Sequence, residues 1–397
     1  MATWMNCSIR VRWCLEGWAY LAVVLMVLAG AWVRQINLLF LVAGLMAGPL
    51  LWSWWWGGRQ LRGITVRRRL PRSVCAGDLL VVELELANTR PRGACWALVV
   101  EEQICHETIP QVAASEKIYI PYLPAGARQI ASYRGRLPQR GRYRLGPIRM
   151  SSRFPFGLFL HCLELSQPGV ETLMVYPRVG RLGRAWTARQ QQAFEGTQRR
   201  EQRSGRVESD FYGVRPWQSG DRRRWIHWRA SARHQALVVR QFEQFRTRDL
   251  VILLDLWQSA QPTVQDQQAI EMAVSFAATI LVQACRQGGN RLGLAIGGQE
   301  PVWLFGQPSP GLLEEAMMHL ALAQPCPEDR LLPIVETLAE NLQPDAEMVL
   351  IRPGSTSGPE QPALADLRSR LARRLPGCQL LCFHMYDPLL AEYFVPE

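Results

Sequence analysis

The stretch DLVILLDLWQS, Asp249–Ser259, decides how the C-terminal part of the chain folds. Its first half is a continuous apolar run closed by an aspartate. It lacks the alternation of a strand with one wet face, and so reads as a parallel strand buried on both faces. The segments that follow fit that reading. QDQQAIEMAVSFAATILVQACRQGG (Gln265–Gly289) has apolar residues at helical spacing and ends in Gly-Gly, and RLGLAIGGQEPVWLFG (Arg291–Gly306) predicts two strands around a Gly-Gly-Gln-Glu turn. Helical patterns over Leu312–Ala323 and Leu331–Asn341, a strand EMVLIRP, a helix near Leu364–Leu375 and a strand CQLLCFHM complete the order. Residues 249–397 are therefore expected to form a doubly wound α/β domain with one antiparallel edge hairpin.

Upstream the pattern changes. From about Ile64 to Ser166 short alternating runs are broken by Gly and Pro; in DLLVVELELAN, Leu80, Val82, Leu84 and Leu86 share one face and Glu83 and Glu85 the other. ALVVEEQI, EKIYIPYL, RQIASYRGRL and GRYRLGPIRM repeat the motif, so 61–180 reads as an all-β, sandwich-like domain. RFPFGLF (Arg153–Phe159) predicts a corner with packed aromatics, and seven arginines from Arg134 to Arg153 predict a solvated strand face. Residues 181–206, rich in Arg and Gln, read as a polar linker, followed by a distinctive segment over 207–248.

The first sixty residues read as a membrane hairpin. GWAYLAVVLMVLAGAWV (Gly17–Val33) and LLFLVAGLMAGPLLWSWWW (Leu38–Trp56) are uncharged, and only RQIN separates them. Trp52, Trp54, Trp55 and Trp56 suit the interfacial belt. A second apolar run, and no small-residue cleavage site after the first, argue against a signal peptide. Arg10 and Arg12 precede the hairpin and Arg59, Arg62, Arg67, Arg68, Arg69 and Arg72 follow it, while the loop holds only Arg34. The positive-inside rule then puts both termini and the remaining domains in the cytosol, the post-hairpin arginines facing anionic headgroups.

The net charge of +11 is uneven: residues 249–397 carry −10 and the rest +21. Lys117 is the only lysine, so arginine richness is a bias of the whole chain and weakens arguments built on arginine alone. The ten cysteines are scattered without a C-x-x-C pair, as buried thiols of a reducing compartment would be; Cys382 and His384 on one strand face do not make a zinc site. P-loop, dinucleotide, zinc-hydrolase and serine-hydrolase motifs are all missing. No cofactor is expected.

Two resemblances carry functional expectations. DLWQS, followed by a helix and an edge hairpin, resembles a von Willebrand factor A domain, whose D-x-S-x-S turn holds a divalent cation through oxygen ligands. Asp255 and Ser259 match the outer positions, but Trp257 replaces the middle serine and RPGSTSG supplies no aspartate, so the metal site reads as degraded. SDFYGVRPWQSGDRRRWIHWRASARHQALVVRQFEQ (Ser209–Gln244) is similar to the signature of the domain of unknown function 58 family. The matching residues include Arg215, Gly220, Asp221, Arg224, Trp228, Ser231, Ala232 and Arg233, with Trp217 where the family has tyrosine. The R-G-R-Y-x-L-G-P and F-P-F-G-L-F segments and the membrane hairpin extend the resemblance over most of the chain. The family has no established chemistry. The resemblance implies association with MoxR-type AAA+ ATPases and transglutaminase-like membrane proteins.

Three functions follow from the signature. Interleaved Arg and Trp can bind phosphates and stack bases, but Glu208, Asp210, Asp221 and Glu243 offer local carboxylate partners, and a membrane tether suits no nucleic-acid search. His227, Asp221 and Ser231 are close in sequence without a recognisable catalytic arrangement. The structural reading has Gly220 in a tight turn, Asp221 capping a short helix, Trp225, Ile226 and Trp228 buried, Arg215, Arg224 and Arg233 pairing with acceptors, and ALVVRQFEQ leading into the sheet. On that reading the segment joins two domains and offers a docking face. The expectation is a membrane-anchored adaptor without enzymatic activity. A cation-dependent ligand binder is the first alternative, and a nucleic-acid module or an enzyme the second.

Overall fold

The computed structural model describes residues 9–109, 113–165, 170–189, 211–219, 221, 223–242, 249–259, 261–289, 291–328, 330, 333, 335, 342, 346–354, 369, 373 and 378–396. The chain divides into two compact units, Met1–Tyr176 and Pro177–Glu397.

The first unit opens with a short strand, β1 (Ile9–Trp13), and two long apolar helices, α1 (Leu15–Arg34) and α2 (Asn37–Leu61). Both helices are long and apolar enough to cross a membrane, and little of their surface is buried. Nine strands follow: β2 (Ile64–Arg69), β3 (Val74–Cys75), β4 (Leu79–Asn88), β5 (Cys95–His106), β6 (Ala113–Leu123), β7 (Arg128–Arg136), β8 (Gly141–Ser152), β9 (Phe159–Leu165) and β10 (Glu171–Tyr176). They form a three-stranded sheet, β2-β4-β7, and a seven-stranded one containing β1-β9-β8-β10-β3 with β5 and β6. The alternation read along β4 is real, since Leu80, Val82, Leu84 and Leu86 are buried. They share one core with Leu98, Val100, Tyr143, Leu145 and Ile148 of the larger sheet.

Two expectations about arginines fail here. Arg68 does not face headgroups: its side chain is fully buried and ion-paired with Glu102, whose second oxygen accepts the Tyr133 hydroxyl at 2.7 Å. β2 alternates inward at Ile64 and Val66, and Arg68 is the next position on that face. Of the seven arginines from Arg134 to Arg153, six are exposed but Arg140 is buried.

The helical pair is also tied into the strand-rich unit. β1 lies before α1 and pairs antiparallel with β9, Trp13 opposite Phe159 and Val11 opposite His161. The last turns of α2 lie on this strand pair, where Gly57 lets the helix approach so closely that an added Cβ would stand 2.3 Å from the His161 ring. His161 is buried, with Nε2 3.2 Å from the Ser53 carbonyl, and Gln60 donates to Ser152 Oγ at 2.7 Å. Gly57→Val should therefore overpack this seam and cost about 1–3 kcal/mol, read as a lower unfolding midpoint of the full chain in detergent. Burial pushes the His161 pKa below its ordinary 6.5. The unfolded chain then binds the proton first as pH falls. The seam is at full stability above about pH 6.5 and weakens below it.

The second unit begins with β11 (Arg181–Leu182), paired with β19 (Phe394–Val395) beside the short helix Leu390–Tyr393. Residues 184–189 are helical, and Trp186, within the stretch read as a linker, is buried against Phe276 and Phe383. The rest of that stretch, 190–206, lies outside the described residues.

The α/β part holds β14 (Leu250–Asp255), β15 (Leu292–Gly297), β16 (Val302–Gly306), β17 (Glu347–Arg352) and β18 (Gln379–His384) in the order β16-β15-β14-β17-β18, only β16 antiparallel. All six residues of β14 are buried, as its unbroken apolar run requires. The helix Val264–Gln287 starts at a reciprocal Thr263–Asp266 cap and ends at Gly288. It too is long and apolar enough to cross a membrane, but 67% of its apolar window is buried inside the unit, so it serves as a core helix. Pro310–Leu322 is the next helix. The helices expected over 331–341 and 364–375 lie outside the described residues, except for 333, 335, 369 and 373, which are helical.

Candidate functional site

The signature segment forms a small body of its own. β12 (Phe211–Pro216) pairs antiparallel with β13 (Val238–Phe242), Arg215 opposite Val239, in a two-stranded sheet separate from the five-stranded one. ALVVRQFEQ thus supplies a strand, β13, whose partner is β12, ahead of β14 in the main sheet. Between these strands come a 3-10 turn, Arg223–Trp225, and a helix, Trp228–His234. Trp225, Ile226 and Val239 make its apolar core.

Polar side chains close the loops. Arg215 grips Asp221 through two parallel bonds of 2.8 and 2.7 Å, and Asp221 Oδ2 also accepts the Gln218 N–H at 2.8 Å. The aspartate closes the turn that precedes it, where a helix cap was expected. His227 takes the capping role: its Nδ1 accepts the Ala230 N–H at 3.1 Å, an acceptor on the last residue before the helix. Ser231 is buried, donating to the carbonyls of His227 and Val238 and accepting the Val238 N–H. His227, Asp221 and Ser231 therefore each serve a different local backbone contact. Gly220 lies outside the described residues.

Arg215's bonds, with the Gln218 N–H, hold the Asp221 carboxyl below the usual carboxylate range. A depressed acid contributes stability above its unfolded value, near 3.8, and loses it as pH falls through the lower folded value. The Arg215–Asp221 pair itself should not respond to pH between about 5 and 8. Because Arg215 is partly exposed, Arg215→Ala should cost only about 1 kcal/mol, measurable as faster amide exchange confined to 211–242.

The outer surface differs from expectation. Trp228, expected to be buried, is 67% exposed. Trp217, Val214 and Leu237 are exposed too, and Arg223, Arg224, Arg229, Ala232 and Arg233 lie at the surface. Trp228 opens its helix and points away from the core formed by Trp225 and Ile226, so two tryptophans three apart take opposite fates.

At the carboxyl edge of the main sheet, Asp255 and Ser259 do not share a contact. Asp255 Oδ2 accepts Arg352 Nε at 2.7 Å, from the end of the neighbouring strand, and Oδ1 accepts the Trp257 N–H. Ser259 is exposed and its hydroxyl accepts the Gln261 N–H at 3.5 Å. Trp257 donates its indole N–H to the Pro327 carbonyl. A guanidinium thus holds the carboxylate that a divalent cation would need, and the residues present do not fit such an ion. Among the described residues no three His, Cys, Asp or Glu side chains converge. Arg352 was missed in sequence, although a lone charge closing the apolar run EMVLIR demands a partner.

Comparison with known proteins gives a family model that matches part of the chain. The model described as "Protein of unknown function DUF58" matches residues 213–351, spanning the signature hairpin and the main sheet up to β17. The Bacillus subtilis (strain 168) "Uncharacterized protein YeaD" is 27% identical over 271 residues, 66% of this chain. The match spans 63% of that relative, less than two thirds of its length. Solved structures resemble only parts of the chain. A CARDB domain from Pyrococcus furiosus is 15% identical, covering 28% of this chain and 94% of that one with a TM-score of 0.20. The Pseudomonas fluorescens alkylpurine DNA glycosylase AlkC is 18% identical, covering 29% and 36% with a TM-score of 0.20. Scores of that size carry no argument.

Proposed function

We propose that this chain is a membrane-anchored adaptor that presents a docking surface to a partner protein on the cytosolic side, with both termini there, and that the partner is a MoxR-type AAA+ ATPase acting together with a transglutaminase-like membrane protein. The observation that supports it most is Trp228. A tryptophan 67% exposed on a hairpin locked by Arg215–Asp221 and Ser231, among surface arginines, has the composition of an interface hot spot. Polar side chains that in an enzyme would address a substrate are bound here to the local backbone. The sheet order with its antiparallel edge hairpin favours a von Willebrand A-like domain. The Asp255–Arg352 pair speaks against the cation-dependent variant of that domain.

Because the last turns of α2 pack on the strand-rich unit, the bait in an affinity purification should be the full chain from detergent-solubilised membranes. Wild type should recover an AAA+ ATPase, and Trp228→Ala should lose it by about 30-fold, the effect of a hot spot near 2 kcal/mol. Equal recovery with both baits, or no ATPase with either, would remove the basis of this reading.

A further inference from the structure

We propose that the seam between α2 and the β1–β9 strand pair binds the acyl chain of a membrane phospholipid. An open groove of about 360 Å³, with backbone polar atoms sharing its wall, is lined by the apolar residues Val11, Trp13, Leu50, Leu51, Trp54 and Phe159, half of them aromatic. Its volume is in the range of sites that take small ligands. Trp13 forms the corner of the wall, its ring 4.4 Å from Phe159 and 5.1 Å from Trp18.

The occupant follows from where the cavity sits. α2 has 25 residues, and from Ser53 onward its buried positions face His161 and the core. That leaves about 16 residues, some 24 Å of helix, for the hydrocarbon, which it spans where the bilayer thins locally. Leu50, Leu51 and Trp54 therefore stand at the edge of the bilayer on the side of the strands. Val11 and Trp13 are each 41% exposed on an edge strand, which water would not favour and acyl chains would. Arg10 and Arg12 alternate with them onto the opposite face, and Arg59 stacks on Trp55 one turn past the cavity. These place basic groups at headgroup level and apolar ones below it. The cavity opens sideways into lipid, between a membrane helix and a strand.

The inference rests on the membrane reading of α1 and α2, and the test separates the two. The full chain would be placed in nanodiscs containing phosphatidylglycerol with a diazirine in its acyl chain, irradiated, and its adducts mapped by mass spectrometry. α1 and the outer face of α2 report on bulk lipid, whereas Val11, Trp13 and Phe159 report on the cavity. Wild type should carry adducts on the strand residues. Val11→Trp and Leu51→Trp, each filling the cavity from an exposed position, should lower strand adducts at least five-fold while α1 labelling is unchanged. Strand residues that stay unlabelled, or label equally in wild type and both variants while α1 labels, would overturn the cavity assignment alone. A chain unlabelled on α1 and α2 as well would overturn the membrane reading with it.

Discussion

Replacing Arg352 with alanine is expected to lower the unfolding free energy by about 3–5 kcal/mol. The pair it breaks is buried, Arg352 8% and Asp255 2% exposed at the side chain. It lies where the strand order reverses: from β14 the chain leaves for β15 on one side and returns as β17 on the other. Open α/β sheets place ligands in this crevice, and here the chain supplies its own cation. Alanine would take the guanidinium away from the buried Asp255 carboxylate, and the penalty is mostly that lost compensation of its charge. Asp255→Leu with Arg352→Met should recover most of the loss, because two apolar side chains of similar bulk carry no such penalty. Millimolar Mg²⁺ should not rescue Arg352→Ala, since Trp257 offers no oxygen and Ser259 closes its own turn. Urea unfolding of the full chain, followed by tryptophan fluorescence, reads all three. A single variant as stable as wild type would show that the pair contributes nothing, and Mg²⁺ rescue would reinstate a cation site.

The same residues show which parts of the fold were legible. Runs with one answer, such as the apolar strand ending at Asp255 and the two uncharged helices, were read correctly because an unbroken apolar run of that length leaves few alternative patterns. β1 was not read. Its five residues pair with β9 about 150 positions later, and Arg10 and Arg12 gave it the look of a flank to a membrane span. Trp225 and Trp228 are indistinguishable in composition, and only the turn at Arg223–Trp225 puts one in and the other out. Gly57 carried no signal, because its meaning depends on a histidine from a remote strand. Arg68 was legible in principle through Ile64 and Val66, but a run of three arginines after a membrane helix made the surface reading easier. The docking face was the least legible feature, since exposure of a tryptophan is settled by packing that sequence alone does not specify.

Replacing Arg68 with leucine should cost as much as the Arg352 variant, about 3–5 kcal/mol, but in the other unit. Arg68 and Tyr133 come from the three-stranded sheet, and Glu102 from the larger one, so the three side chains join the two sheets through their shared core. Arg68 also reaches Glu171 at 3.3 Å, on β10. With leucine at 68, Glu102 would keep the Tyr133 hydroxyl, whose own pKa burial and Glu102 already push far above 10. One neutral donor does not compensate a buried carboxylate. The double variant Arg68→Leu, Glu102→Leu should not show the full deficit. An equal loss in single and double variants would mean that packing volume, and not the stranded charge, sets the cost. β2 follows α2 after a two-residue turn, Arg62–Gly63, so this network holds the strand that enters the core directly from that apolar helix. If the network carries that load, Arg68→Leu should also raise amide exchange across β2 and the last turns of α2 while leaving 249–397 at wild-type protection.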